Sequence, residues 1–324
     1  MMKRIIIALA ATTMLSSAAM AEKVGVSMAK FDDNFLTVLR NGMIAYAKDK
    51  KVDLQVEDAN DDVGKQLSQI QNFIAAKVDA IVVNPVDTSA TPKMTALATA
   101  AGVPLVYVNR MPSDKTLPAK VSFVGSNEVD SGTLETKEVC KLLGGKGNIV
   151  VMMGQLSNQA AVQRTADIHD VLKGADCAGI KILEEQTAEW DRTKAADLMT
   201  NWITKGVKPD AVIANNDEMA IGAIKALKGA KMDKVIVGGV DGTADALAAM
   251  KDGMLKVTVF QNAAAQGQGA VDTAVKLAKG DKVDSMVWVP FELITPANMD
   301  KYVKKNWVLQ HLVEVLIAFK CAVS

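Results

Sequence analysis

The segment "PDAVIANNDEMA", residues 209–220, runs from an apolar stretch straight into two amides and two acids. An earlier segment, "VDAIVVNPVDTSA", residues 78–90, keeps the same order: Asp, Ala, three apolar residues, Asn, then an acid two or three positions on. Outward from these, "VPLVYVNR" ending at Arg110 answers "KVIVGGVDG" ending at Gly242. Nearer the start of each half, "KVGVSM" from Lys23 answers "GNIVVMMG" from Gly147. Each member of a pair reads as an apolar strand that delivers a polar residue at its C-terminal end. The chain therefore reads as two similar lobes, each a succession of strand, loop and helix.

Between these strands, apolar residues recur at helical spacing, as in Leu67, Ile70, Phe73 or Ile74, and Val78. Alternating strands and helices predict an α/β fold in which each lobe holds a parallel sheet flanked by helices. In such sheets ligands bind outside the carboxyl ends of the strands. Two lobes presenting those edges to each other form a cleft for a small molecule. Asn215, Asn216 and Asp217 suit the cap of the following helix equally well, and spacing alone does not divide the two roles.

Met1, Met2, Lys3 and Arg4 precede the apolar "IIIALAATTML", and the small-residue site "AMA" follows at 19–21. This is the pattern of a secretory signal peptide over residues 1–21, cut before Glu22; a membrane anchor needs about 20 apolar residues. The remainder is the right length for two domains. Lysine plus arginine and aspartate plus glutamate number 37 each, which gives no reason to expect nucleic acid or an anionic membrane surface as partner. In an exported chain Cys140 and Cys177 are a possible disulfide or two buried thiols. No CxxC or histidine cluster accompanies them, so no metal is expected.

The chain resembles the periplasmic sugar-binding proteins of ABC transporters, in the branch of the ribose and glucose/galactose receptors, from about Val24 to about Lys304. The resemblance is carried by "KFDDNFLTVLRNG", "VVNPVD", "PLVYVNR", "EWDRTKA", "VIANNDEMAIGA" and "VGGVDGTADAL". It implies a two-lobed periplasmic binding protein type I fold: residues 22–124 mainly in the N-terminal lobe and 125–258 mainly in the C-terminal lobe. Hinge crossings and a return segment would follow over 259–306. It also implies ligand contacts, carried over by position. In "FDDNF" these fall on Asp33 and Phe35, the latter stacking on one face of a sugar ring, and in "EWDR" on Trp190, covering the other face. Asn109 matches the galactose-type Asn, and the adjacent Arg110 is counted with it. Arg164, Asn216, Asp241 and Gln261 complete the set. The chemistry suits a polyol, with carboxylates, amides and guanidinium groups around the rim and aromatic walls on the C–H faces.

Leu36 and Val240 stand at two positions that are aromatic in the ribose type, which favours a six-membered ring. The calcium loop of the galactose receptors has no counterpart around "LLGGKGN", and no cofactor is expected. Among cyclitol readers the sequence is similar to rhizobial proteins assigned to inositol and to rhizopine, an amino-inositol. Glucose, galactose, xylose and ribose remain alternatives. The resemblance further implies a membrane permease with a cytoplasmic ATPase as partner, a chemoreceptor for some members, a monomer, and a periplasmic location.

Two other classes fit less well. An enzyme lacks a histidine-based triad, since His169 lies in the helix "TADIHDVL" and His311 in the tail. "QGQGA", residues 266–270, holds only part of a dinucleotide fingerprint. The effector domain of a sugar-responsive repressor would carry a DNA-binding helix-turn-helix where this chain has its leader. The apolar tail "WVLQHLVEVLIAFKCAVS", residues 307–324, lies beyond the resemblance, and no function is assigned to it.

Overall fold

A computed structural model describes residues 21–303; the signal peptide expected over residues 1–21, but for its last residue, and the tail from 307 fall outside the described residues. The first sheet takes β1 (Lys23–Met28), β2 (Asp53–Asp58), β3 (Ala80–Val83), β4 (Leu105–Val108) and β5 (Val121–Gly125), with β11 (Met286–Trp288) added at one edge. Its order is β11-β5-β4-β3-β1-β2, parallel throughout. The second sheet has β7 (Gly179–Thr187), β6 (Lys146–Met153), β8 (Ala211–Ala214) and β9 (Ile236–Gly238) in that order. Bridges from Gly238 to Val257 and from Asp241 to Phe260 then bring in β10 (Thr258–Phe260). The strand paired by sequence with another thus occupies the matching place: β3 with β8, β1 with β6, β4 with β9.

The residues explain the layering. "AIVV" of β3 and "AVIA" of β8 are buried along their whole length, as parallel strands covered on both faces must be. Ala80 and Val82 point to one core with α1 (Asn34–Lys50) and α9 (Ala263–Lys279). Ile81 and Val83 point to the other, with α2 (Val63–Ala75) and α3 (Thr91–Ala101). In the second lobe Val212 and Ala214 face α6 (Arg192–Thr204), α7 (Asp217–Gly229) and α8 (Ala244–Lys251). Ala211 and Ile213 share their core with residues of α4 (Glu128–Leu142) and α5 (Gln159–Leu172). The helical spacing read through Val78 overruns the structure, because Lys77 takes a left-handed φ of 55° just after the cap of α2 at Ala76.

The chain passes between the two sheets three times, from β5 to α4, from β10 to α9, and from β11 to β12 (Glu292–Ile294). β12 pairs antiparallel with β10, an exception to the parallel rule that the sequence pattern did not show. Gly267 and Gly42 allow α9 to lie directly on α1: a Cβ on Gly267 would meet the Leu39 carbonyl at 2.4 Å, and one on Gly42 the Ala264 Cα at 2.9 Å. The glycine in "QGQGA" is therefore explained by helix packing. Cys140 and Cys177 form a disulfide, with Cα atoms 5.8 Å apart. It fastens the end of α4 to the turn ahead of β7 and closes a loop worth roughly 4 kcal/mol on the chain-entropy account.

The lips of the two lobes touch. Asn34 Nδ2 donates to Glu218 Oε1 at 2.8 Å, and Glu218 is in turn paired with Arg192. On the other side the Thr88 backbone N–H and its hydroxyl both donate to the Ser157 carbonyl at 3.0 Å, while the Gln159 N–H donates to the Thr88 hydroxyl at 3.2 Å. The conformation is closed.

Candidate functional site

All nine residues named from the sequence line one cleft between the lobes, together with Leu36, Glu128, Asn158 and Ala160. The cleft is narrow, with a cavity volume of about 50 Å³. Each side chain arrives from the C-terminal end of a strand or the first turns of the helix that follows, as the topology requires.

The first lobe supplies four of the nine. Asp33 caps α1, its Oδ1 accepting from the Leu36 N–H at 2.8 Å, and Phe35 follows in the first turn. Asn109 ends β4 with a left-handed φ of 67°, inside a tight turn closed by the Arg110 N–H and the Val108 carbonyl at 2.8 Å. Such strain persists only where the surroundings hold it. Here the Asn109 amide donates to Gln266 Oε1 at 3.2 Å, and Gln266 donates to Ser126 Oγ at 2.9 Å at the first crossing. Arg110 is buried and donates to the Pro85 carbonyl at 2.8 Å. Burial pulls its guanidinium below the ordinary value, with Asp33 and Asp61 opposing.

The second lobe supplies the rest. Glu189 and Trp190 both have positive φ, 56° and 65°, in a turn closed by the Asp191 N–H and the Ala188 carbonyl. Asp191 then caps α6. That turn lays the indole against Gly154, where a Cβ would stand 2.2 Å from the ring. The Arg164 guanidinium lies 5.6 Å from the centre of the same ring, within cation–π range. Arg164 itself is held by Glu128, with Nε to Oε2 at 2.7 Å, and by the Asn215 carbonyl at 2.6 Å. Burial pushes this guanidinium down, but Glu128, Asp241 and Glu135 more than offset it, and the net displacement is upward.

The paired amides of the opening segment divide their work. Asn215 is fully buried and structural, its Oδ1 accepting from the Gly154 N–H and the Thr165 hydroxyl. Asn216 caps α7, Oδ1 accepting from the Met219 N–H at 3.0 Å, and lines the cleft as well. Asp217 braces the next loop, taking the Thr258 hydroxyl at 2.7 Å and the Thr243 N–H at 2.8 Å. Burial pushes its carboxyl up to about 7. That loop carries Asp241 at a φ of 129°. Asp241 is driven well above the usual carboxylate range by burial, with Asp217, Asp33 and Glu128 adding to the rise and Arg164 opposing it.

Two polar cleft residues escaped the sequence reading. Glu128 looks in sequence like a first-turn helix acid, and Asn158 like a helix cap, but Asn158 makes no capping bond. Four buried cleft atoms have no partner among the described residues: Glu128 Oε1, Asn158 Oδ1, Trp190 Nε1 and Gln261 Nε2. Buried polar groups of this kind cost stability unless something pairs with them. Two acceptors and two donors, walled by aromatic rings from opposite lobes, match a ring bearing several hydroxyls. A wider groove beside the disulfide, lined by Lys137, Lys141, Asp170 and Asp176, contains no such orphaned atom. His169 is exposed on α5 and pairs with Glu185.

Comparison with known proteins agrees with this geometry. The sequence profile of the periplasmic binding protein domain matches residues 24–282. A protein of Rhizobium meliloti with a provisional assignment as a rhizopine-binding protein is 62% identical over 309 residues, covering 94% of this chain and all of that one. A solved ABC transporter solute-binding protein from Bacillus halodurans, with bound myo-inositol, is 40% identical with a TM-score of 0.83; the match covers 88% of this chain and 98% of the other. The myo-inositol-binding protein of Caulobacter, solved with myo-inositol, is 28% identical with a TM-score of 0.83, covering 90% and 99%.

Proposed function

The chain belongs to the periplasmic binding protein family, and on that premise we propose that it captures a cyclitol, inositol or an amino-inositol, for an ABC importer. The observation that carries the reading is the cleft between the lobes, where orphaned acceptors and donors converge with Phe35 and Trp190. The relatives named above, one assigned to rhizopine and two solved with myo-inositol, support the same ligand class. Asp33, Phe35, Asn109, Arg110, Arg164, Trp190, Asn216, Asp241 and Gln261 are the proposed ligand contacts.

The mechanism is a hinge equilibrium. The ligand touches both lobes only when they are shut, so binding shifts the protein from open to closed by that difference in contacts. Desolvated hydrogen bonds to charged side chains supply the affinity, and the rings exclude water from the C–H faces. No bond of the ligand is made or broken. The closed form then docks on a membrane permease served by a cytoplasmic ATPase, as the family's transport role implies. Export through cleavage before Glu22, action as a monomer, and engagement of a chemoreceptor belong to the same reading.

Thermal unfolding of the mature protein with millimolar myo-inositol, an amino-inositol, glucose, galactose, xylose and ribose tests it. A ligand at about a thousand times its dissociation constant stabilises the native state by about 4 kcal/mol, raising the midpoint by several degrees. A rise with cyclitols is expected. A rise with hexoses alone would transfer the assignment to a glucose/galactose receptor, and no rise with any of the six would overturn the polyol reading.

A further inference from the structure

The Glu128 side chain is only 3% exposed. Its Oε2 accepts from Arg164 Nε at 2.7 Å and from Ser131 Oγ at 3.0 Å. Its Oε1 is buried without a partner among the described residues, and the residue lines the cleft. A carboxylate fixed through one oxygen and bare at the other is an acceptor of set direction.

Charge in the cleft points the same way. Its walls carry three carboxylates, Asp33, Glu128 and Asp241, against two guanidinium groups, Arg110 and Arg164. Both cations are already engaged, Arg110 by the Pro85 carbonyl and Arg164 by Glu128 and the Asn215 carbonyl. Burial holds Asp241 toward its neutral acid, and a ligand cation beside it would favour the ionised form. The second lobe also offers acceptors in the right number. An ammonium brings three donor hydrogens where a hydroxyl brings one. Glu128 Oε1 and Asn158 Oδ1 are orphaned, and the carboxyl group of Asp241 lines the same cleft.

We propose that Glu128 is a specificity-determining residue that favours a ring carrying a protonated amine over the corresponding neutral polyol. The proposal rests on the cyclitol reading above and narrows it to the amino-cyclitols. Glu128 Oε1 accepts one ammonium hydrogen, and its charge, shared with Arg164, is completed by the ligand.

Titration calorimetry of the mature protein with myo-inositol and with scyllo-inosamine, on wild type and E128Q at neutral pH, tests the assignment. The wild type binds the amine at least about tenfold tighter, the scale expected of a charge-assisted bond over a neutral one. In E128Q the amide oxygen still accepts from Arg164 and Ser131, and the preference falls to about threefold or less. If Glu128 serves only as the partner of Arg164, both ligands weaken together, their ratio stays, and the proposal is overturned. E128D keeps the charge but withdraws it by one methylene; the preference falls there too, and an unchanged ratio counts against the proposal. Wild type that binds myo-inositol with no preference for the amine removes this inference and leaves the cyclitol reading standing. Wild type that binds neither removes both.

Discussion

At the scale of single residues, the cleft is built by side chains that serve the fold and the ligand at once. Asp33 and Asn216 each cap a helix with one oxygen and line the cleft as well. Sequence spacing could not divide these roles because the same short polar side chain satisfies both. Trp190 is different, since its ring is held by a strained turn and by Gly154 rather than by core packing alone. Trp190→Ala is expected to weaken ligand binding at least about tenfold, the loss of a large aromatic contact and of its indole donor. The unfolding midpoint without ligand should move little. Calorimetric titration beside a thermal melt checks both, and unchanged affinity would reject the ring's assigned place. Glu128 was illegible for a physical reason: an acid in the first turn of a helix is favoured by the dipole wherever it occurs, so nothing in its neighbours marks it as facing a cavity.

At the scale of elements, the three strand pairings read between the halves reappear as equivalent positions in the two sheets. They were legible because strands buried on both faces show unbroken apolar runs closed by a polar residue. β11 and β12 were not, since "MVW" and "ELI" are three residues each, too short to carry a period. The tight seam between α1 and α9 also stayed hidden, because glycine in a helix has no pattern of its own and declares its purpose only when the opposing backbone is known. Gly267→Ala places a methyl against the Leu39 carbonyl and should destabilise the protein by about 1–3 kcal/mol, the usual cost of overpacking. A urea unfolding curve measures this. A loss below about 0.5 kcal/mol would mean that the helices part without difficulty.

At the scale of the whole molecule, closure has two sources of free energy, the ligand and the lips. Asn34 and Glu218 on one side, Thr88 with Ser157 and Gln159 on the other, join the lobes through contacts that do not involve the ligand. An exposed hydrogen bond contributes about 0.5–1.5 kcal/mol, and apparent affinity scales with the fraction of protein able to close. Asn34→Ala should therefore weaken every ligand by one common factor, about two- to tenfold, unlike the ligand-selective change expected at Glu128. Titrations with two ligands distinguish a common factor from a selective one. The lip contacts also bear on the economy of transport. A permease that reads only the outline of the shut protein meets some molecules that have closed on nothing, and each such meeting risks ATP hydrolysis with no cargo. The strength of a few bonds at the rim thus fixes a floor for idling, and evolution can raise affinity through the rim only by raising that idle current with it.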